Sequence, residues 1–159
     1  MLATLSVESI KLEDSKFTNG EPVFTIIAEV PSGLVMRLYE ADHLHIHWIR
    51  PNITEICVFA HPIAGVKRRS TVTPHIERPA APMSEWSYDL YGTIAKVNVS
   101  DPHSDREGLY LLDVGEGTIL VDSSLSEFLP ASEPSLSVGD ALFIPTSRVD
   151  IYEDQPLRC

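Results

Sequence analysis

The sequence predicts an all-β protein, and three observations support this fold class. Apolar residues rarely recur at the three- and four-residue spacing of an amphipathic helix, whereas two-residue alternation and β-branched runs recur throughout the chain. Turn-forming Gly, Pro, Asn and Asp residues separate these strand-like stretches. With 159 residues, 43% of them hydrophobic, the chain can fill the core of one large domain or two small ones.

Residues 1–66 show the pattern of five strands in a small β unit. The first two flank the turn formers Thr18-Asn19-Gly20 and predict a hairpin or meander. Pro and Gly punctuate the stretches that follow. The five predicted strands are Thr4–Leu12, Val23–Val30, Leu34–Tyr39, His43–Arg50 and Ile53–Ala60.

Residues 67–85 interrupt the strand pattern. Pro74, Pro79 and Pro82 are spaced among small and polar residues, a composition that resists both a helix and a central strand. Two interpretations fit this segment: a Pro-rich basic linker between two β units, or a long loop within one larger barrel. We adopt the linker, which divides the chain into 1–66 and 86–159.

The second half has the more specific pattern. Trp86–Ser100 is a long strand interrupted by Gly92, and a glycine inside a strand is typical of a bulge or sharp bend. A hairpin follows, with Gly108–Val114 and Thr118–Ser123 as its strands and Gly115-Glu116-Gly117 as its turn.

A short connection and two strands complete the predicted second half. Ser124–Phe128 predicts one helical turn, with Ser124 as N-cap and Glu127 completing a capping box. The last two predicted strands are Ala141–Pro145 and Arg148–Glu153.

Residues 86–154 resemble an OB-fold, a small barrel that binds oligonucleotides or oligosaccharides. The resemblance lies in Gly92-Thr93-Ile94, in the hairpin from Leu112 to Val121, and in Leu136-Ser137-Val138-Gly139-Asp140 before the fourth strand. It implies an OB-like β-barrel preceded by a second small β unit. The stretch 136–154 also resembles the end of a TOBE/Mop-type domain, which implies a regulatory or oxyanion-binding role.

Charge and composition restrict the class of partner. The chain has 23 acidic and 12 basic residues, a net charge of −11, and a field of this sign repels nucleic acid and anionic membranes. Only 67–85 has a positive balance, with four basic and two acidic residues. No apolar run is long enough to span a membrane, so we expect a soluble intracellular protein, cytoplasmic or nuclear.

His43, His45 and His47 alternate along a predicted strand and would point to one face. Three imidazoles on one face can bind zinc or another transition metal, with His61 or Glu55 completing the ligand set. The alternative is an ordinary solvent-facing strand, and we expect no resident cofactor. Because the two cysteines form no CxxC pair, a cysteine zinc site within one chain is not expected.

The sequence holds none of the common catalytic motifs: no Gly-x-Ser-x-Gly elbow, no HExxH, and no phosphate-binding loop. Cys57 and His61 are close in sequence, but Cys57 lies in an apolar run typical of a buried structural thiol. We therefore expect binding and no enzymatic activity.

Single-stranded nucleic-acid sites combine aromatic rings with cationic groups along the phosphates. The second half is strongly acidic, which favours a partner protein instead, because interface cores favour Tyr, Trp and Arg. We expect an OB-fold subunit or adaptor of a nucleic-acid-associated assembly that contacts a partner protein, and a direct contact with single-stranded DNA or RNA is left open. The candidate residues for either contact are Trp86, Tyr88, Tyr91, Lys96, Tyr110, Arg148, Tyr152, Lys67, Arg68 and Arg69.

Overall fold

The structure is a computed structural model that describes residues 2–13, 16–18, 21–40, 52–101, 104–153 and 157–158. It is 53% strand and 5% helix, and the sheet is strongly curled into a barrel-like form. The all-β prediction is therefore confirmed. The predicted strand His43–Arg50 lies outside the described residues.

Strands β1 to β7 belong to the first part of the chain and β8 to β14 to the rest. A single 3₁₀ helix among the described residues, Ser123–Phe128, connects β12 to β13. The strands are β1 Leu2–Ala3, β2 Leu5–Ser6, β3 Ser9–Leu12, β4 Lys16–Thr18, β5 Glu21–Glu29, β6 Val35–Glu40, β7 Glu55–Pro62, β8 Lys67–Arg69, β9 His75–Glu77, β10 Asp89–Val99, β11 Leu109–Asp113, β12 Thr118–Val121, β13 Ala141–Glu153 and β14 Leu157–Arg158.

Five strands close into a ring. The antiparallel ladder β10–β11–β12 continues through β7, which pairs parallel to β12, and then through β13, which pairs antiparallel to both β7 and β10. Strands β6, β5 and β3 extend the sheet outward from β13. The ring thus includes β7, which precedes the predicted linker in sequence. The predicted domain boundaries at residues 66 and 86 stay predictions.

Gly92 lies where β10 changes partners. One edge of β10 pairs with β9 over Asp89–Tyr91 and with β11 over Thr93–Val99, while the other edge pairs with β13 over Asp89–Thr93. A Cβ atom at Gly92 would overlap the carbonyl oxygen of Asp113 on β11. Glycine is therefore required at this position by the close approach of two backbones.

The two predicted final strands are one strand. Residues 141–153 form β13 without a break, because Thr146 pairs with Pro62 of β7 where a turn was expected. A register shift between Thr146 and Arg148 marks an irregularity of the β-bulge type, which lets the strand bend from β10 toward β7. The prediction of two strands was wrong here.

The helical turn is confirmed, but its N-cap is different. The helix begins at Ser123, and the carboxylate of Asp122 accepts a hydrogen bond from the Ser124 backbone amide at 3.2 Å. A carboxylate one residue before the helix satisfies an amide that has no intrahelical partner. Asp122, and not Ser124, is therefore the cap.

The main hydrophobic core fills the ring and continues under β5 and β6. It takes Val58 and Ala60 from β7, Leu90 and Ile94 from β10, and Ile144 from β13, all fully buried or nearly so. A second cluster of buried residues covers the other face of β7, around Cys57 and Phe59. Strand β7 is therefore buried on both faces.

Candidate nucleic-acid interface

Four strands place a line of aromatic and basic side chains on the outward face of the sheet. Tyr91 of β10 is directly opposite His75 of β9 and Phe143 of β13, and Phe143 is opposite Lys67 of β8. Residues directly opposite in neighbouring strands share one face. With Arg69, two residues beyond Lys67 and so on the same face, these side chains form what we call the aromatic row.

Contacts between rings fix the relative positions of the side chains in the aromatic row. The imidazole of His75 stacks on Tyr91 with 4.3 Å between centroids and 6° between planes, and the Phe143 ring is 5.0 Å from that of Tyr91. The Arg69 guanidinium lies 5.7 Å from the centre of the Tyr91 ring and 5.8 Å from that of Phe143. Cations at this distance are attracted by the ring faces, which holds Arg69 against the row.

Two acidic residues border the row. Glu77 accepts a hydrogen bond from the Tyr91 hydroxyl at 3.1 Å, and one of its carboxylate oxygens is 3.2 Å from Nε2 of His75. Burial, then the charge of Glu77, raise the pKa of Asp89 above its ordinary value. Burial and the Glu77 hydrogen bond also raise the pKa of Tyr91, so its hydroxyl remains a donor at neutral pH.

A second site lies further along β13. His61, Ser84, Trp86, Ser147 and Arg148 line a groove of about 320 Å³, which we call the Trp86 groove. The Trp86 ring meets Tyr39 of β6 edge to face at 5.0 Å, and its indole N–H donates to Oγ1 of Thr25 at 3.0 Å. Two strands of the sheet extension therefore fix the orientation of the indole.

Arg148 is held at the groove by a buried carboxylate. Its Nε and Nη2 donate to the two oxygens of Asp150 at 2.6 and 3.0 Å, while the guanidinium lies 4.3 Å from the centre of the Tyr39 ring. Nε2 of His61 is 2.9 Å from Asp150, which is only 5% exposed. Two partners thus satisfy a carboxylate that would be costly to bury alone.

Serine, histidine and aspartate meet here without forming a catalytic triad. The Ser84 hydroxyl donates to the Ser147 carbonyl at 2.7 Å, and the Ser147 hydroxyl donates to the His61 carbonyl at 3.4 Å. Within the described ranges, no serine hydroxyl hydrogen-bonds to the His61 imidazole, so no nucleophile is paired with a base. Cys57 is fully buried, which keeps its thiol from a substrate.

The structure brings together part of the predicted set. Tyr91, Lys67 and Arg69 meet in the aromatic row, and Trp86 and Arg148 meet in the Trp86 groove.

Other predicted residues are engaged elsewhere. Tyr88 is 2% exposed and its hydroxyl accepts from the Arg37 amide at 2.7 Å. Arg68 pairs with Asp140 at 2.8 Å, and the Tyr152 hydroxyl donates to Asp101. Lys96 is half-buried on β10.

Tyr110 lines a separate cavity of about 370 Å³ beside the 3₁₀ helix. Glu133 is the charged residue of this cavity, and its lining residues include no cationic side chain. Arg68 donates to the Glu133 carboxylate at 3.1 Å and to the Pro134 carbonyl. The oxyanion-binding alternative of the TOBE/Mop type stays a prediction.

The predicted metal ligands His43, His45 and His47 lie outside the described residues. In the part of the chain that the structure describes, no group of three or more His, Cys, Asp or Glu side chains could hold a metal ion. His61, proposed as a further ligand, instead pairs with Asp150.

Sequence reasoning missed Phe143, His75 and the contact between His61 and Asp150. Phe143 alternates with the buried Leu142 and Ile144, so strand periodicity could have assigned it to the outward face. His75 gave no signal, because its three-residue strand lies in a segment dominated by proline.

No protein-family model, curated protein or solved structure matches the chain. Among the residues described, no helix is long and apolar enough to cross a membrane.

Proposed function

We propose that the protein is a non-enzymatic binding module, an OB-type subunit of a nucleic-acid-associated assembly, whose outward face contacts a single strand. The observation that supports this most is the aromatic row, which joins His75, Tyr91 and Phe143 to Lys67 and Arg69 on one face. Aromatic rings and phosphate-binding cations side by side are what such sites require. The five-stranded ring supports an OB-like barrel, with β7, from before residues 86–154, as the strand that closes it.

Charge favours this face over the rest of the surface. Lys67 and Arg69 belong to the one segment with a positive balance, in a chain of net charge −11. Glu77 and Asp89 lie beside the row and limit its positive potential. We therefore expect weak binding that depends on a few local phosphate contacts, and steep loss of binding as salt rises.

The first test is fluorescence anisotropy with a labelled mixed-sequence strand of about 20 nucleotides. If Lys67 and Arg69 each meet one phosphate, affinity falls about 25-fold between about 20 and 200 mM salt. Absence of binding at both salt concentrations would contradict a direct nucleic-acid contact.

Variants locate the contact. Tyr91→Ala removes the central ring and should weaken binding by about tenfold or more. Arg69→Ala should weaken it at low salt and lower the salt slope by about 0.7. Tyr110→Ala, in the separate cavity, is the matched control and should bind like the wild type.

A partner protein is the second candidate, favoured by the net charge and by the acidic side chains bordering the row. A photo-reactive amino acid placed at Phe143 should cross-link the partner in cells, whereas the same amino acid at Tyr110 should not. Equal cross-linking at both positions would show that the aromatic row is not the docking face.

A further inference from the structure

We propose that the Trp86 groove holds one base of the bound strand and prefers guanine. The inference rests on the proposed function and adds a sequence preference to it. It follows from the donors that Arg148 presents, from the ring beside them, and from the place of the groove on the same strand as the aromatic row.

The donors come from one end of the guanidinium. Asp150 accepts hydrogen bonds from Nε and Nη2 on one edge of the Arg148 guanidinium. The edge formed by Nη1 and Nη2 can therefore donate to a ligand. Nε2 of His61 is 3.4 Å from Nη2, but it must donate its proton to Asp150 at 2.9 Å and so cannot also accept. Arg148 therefore offers two parallel donors with no acceptor among the described residues.

Two parallel donors match two adjacent acceptors on a base. Guanine presents O6 and N7 as adjacent acceptors, and arginine binds this pair in a bidentate manner. Neither adenine nor thymine presents two adjacent acceptors, so Arg148 discriminates against both bases. Cytosine presents O2 and N3 side by side on the Watson–Crick edge that a single strand exposes. The larger ring system of guanine, which stacks over more of the Trp86 indole, favours guanine over cytosine.

The groove also supplies a stacking surface. The Trp86 indole lines it and is fixed by Tyr39 and Thr25, so little side-chain freedom is lost when a base stacks on it. A volume of about 320 Å³ is at the lower end of small-ligand sites and suits one base, not a longer segment. The hydroxyl oxygen of Ser147, which donates to the His61 carbonyl, keeps lone pairs that can accept from the base.

The groove and the aromatic row lie on a continuous path. Both lie on the outward face of β13, because the irregularity between Thr146 and Arg148 offsets the odd spacing between Phe143 and Arg148. Five residues of strand span at most about 16 Å. One flexible single strand can therefore contact both.

The test compares equal-length repeats of GT, CT and T, titrated at low salt. We expect the GT strand to bind at least about tenfold more tightly than the T strand, and more tightly than the CT strand. Arg148→Lys keeps the charge but loses the bidentate fork, so it should abolish this preference while T-strand affinity changes by less than about twofold. Arg106→Lys, at an exposed arginine elsewhere on the surface, is the control and should retain the preference.

A second measurement on the wild-type protein does not depend on whether the Arg148→Lys variant folds. Guanosine monophosphate should quench tryptophan fluorescence more than adenosine monophosphate, and Trp86→Phe should remove the difference. Equal quenching, or tight binding of the T strand without a preference for GT, overturns the guanine assignment and leaves the proposed function standing. Failure of every strand to bind overturns both.

Discussion

At the scale of single residues, Tyr88 places a hydrogen-bonded hydroxyl in the hydrophobic core. It is the largest of the fully buried side chains described, and its hydroxyl accepts from the backbone amide of Arg37 at 2.7 Å. Its ring also lies 5.3 Å from the guanidinium of Arg78. The residue therefore connects β6 to the segment that precedes β10.

Tyr88→Phe removes the acceptor and leaves the Arg37 amide without a partner. We expect the free energy of unfolding to fall by about 1 to 3 kcal/mol, measured by urea denaturation. Tyr91→Phe removes an exposed hydroxyl and is the matched control, with an expected change of less than about 0.5 kcal/mol. Equal losses would contradict the role assigned to the Arg37 hydrogen bond.

Tyr88 also predicts how stability depends on alkaline pH. Burial raises its pKa, against smaller opposing effects of Arg37 and Arg78. Because the folded-state pKa lies above the unfolded value near 10, its contribution is complete below about pH 10 and is lost as pH rises toward the folded pKa. Unfolding free energy should therefore decline above about pH 10, and Tyr88→Phe should lessen that decline. Tyr110→Phe is the control, and an identical decline in both variants would exclude Tyr88 as the source.

At the scale of elements, β10 and the loop before it place both parts of the candidate site. Gly92 lies between the part of β10 that pairs with β9 and the part that pairs with β11, and the loop 79–87 brings Trp86 to the groove. Arg78 holds this loop by donating to the carbonyls of Ser84, Glu85 and Ser87 at 3.0, 2.8 and 2.7 Å.

Gly92→Ala should be severely destabilising, because the added Cβ meets a backbone oxygen that cannot move away without breaking the β10–β11 ladder. We expect a loss of about 3 kcal/mol or more by thermal unfolding. Gly33→Ala, at a turn with φ of +93° and open space around it, introduces only backbone strain of about 1 kcal/mol. Similar losses for the two variants would contradict a steric cause at Gly92.

Arg78→Lys replaces a planar fork with a single ammonium that cannot reach three carbonyls at once. Hydrogen exchange of the amides in 79–87 should accelerate by about tenfold, while the exchange of β11 remains unchanged. Arg106→Lys is the control and should leave the loop protected. An unchanged loop in Arg78→Lys would show that other contacts maintain it.

At the scale of the whole molecule, the ring joins distant parts of the chain. Strand β7 pairs with β12 and β13, and its residues Val58 and Ala60 enter the same core as Leu90 and Ile144. A piece that lacks β7 would expose one edge of β12 and one of β13, along with their apolar faces.

Residues 86–159 alone should therefore fail to fold, with a poorly dispersed NMR spectrum. A longer piece, 52–159, restores β7 and should recover dispersed signals at least in part. Folding of 86–159 by itself would contradict the need for β7 and would support the division into two β units.

The sequence predicted most elements, because strand alternation and turn residues are local signals. The hairpin around Gly115 and Gly117 is confirmed, with Asp113 paired to Thr118. The break placed before Arg148 was wrong because Pro145 and the polar pair Thr146-Ser147 resemble a turn, whereas long-range pairing with β7 keeps them in a strand. Aromatic and basic residue types identified Tyr91, Arg69, Trp86 and Arg148, but their neighbours across the sheet were not predictable.

The sequence by itself determined the all-β class, the hairpin and the acidic balance, since each depends on residue type or short-range spacing. Tertiary structure alone decided that β7 closes the ring and that the aromatic row and the Trp86 groove share one face. Register between strands far apart in sequence depends on how whole faces pack together. No local pattern encodes that packing.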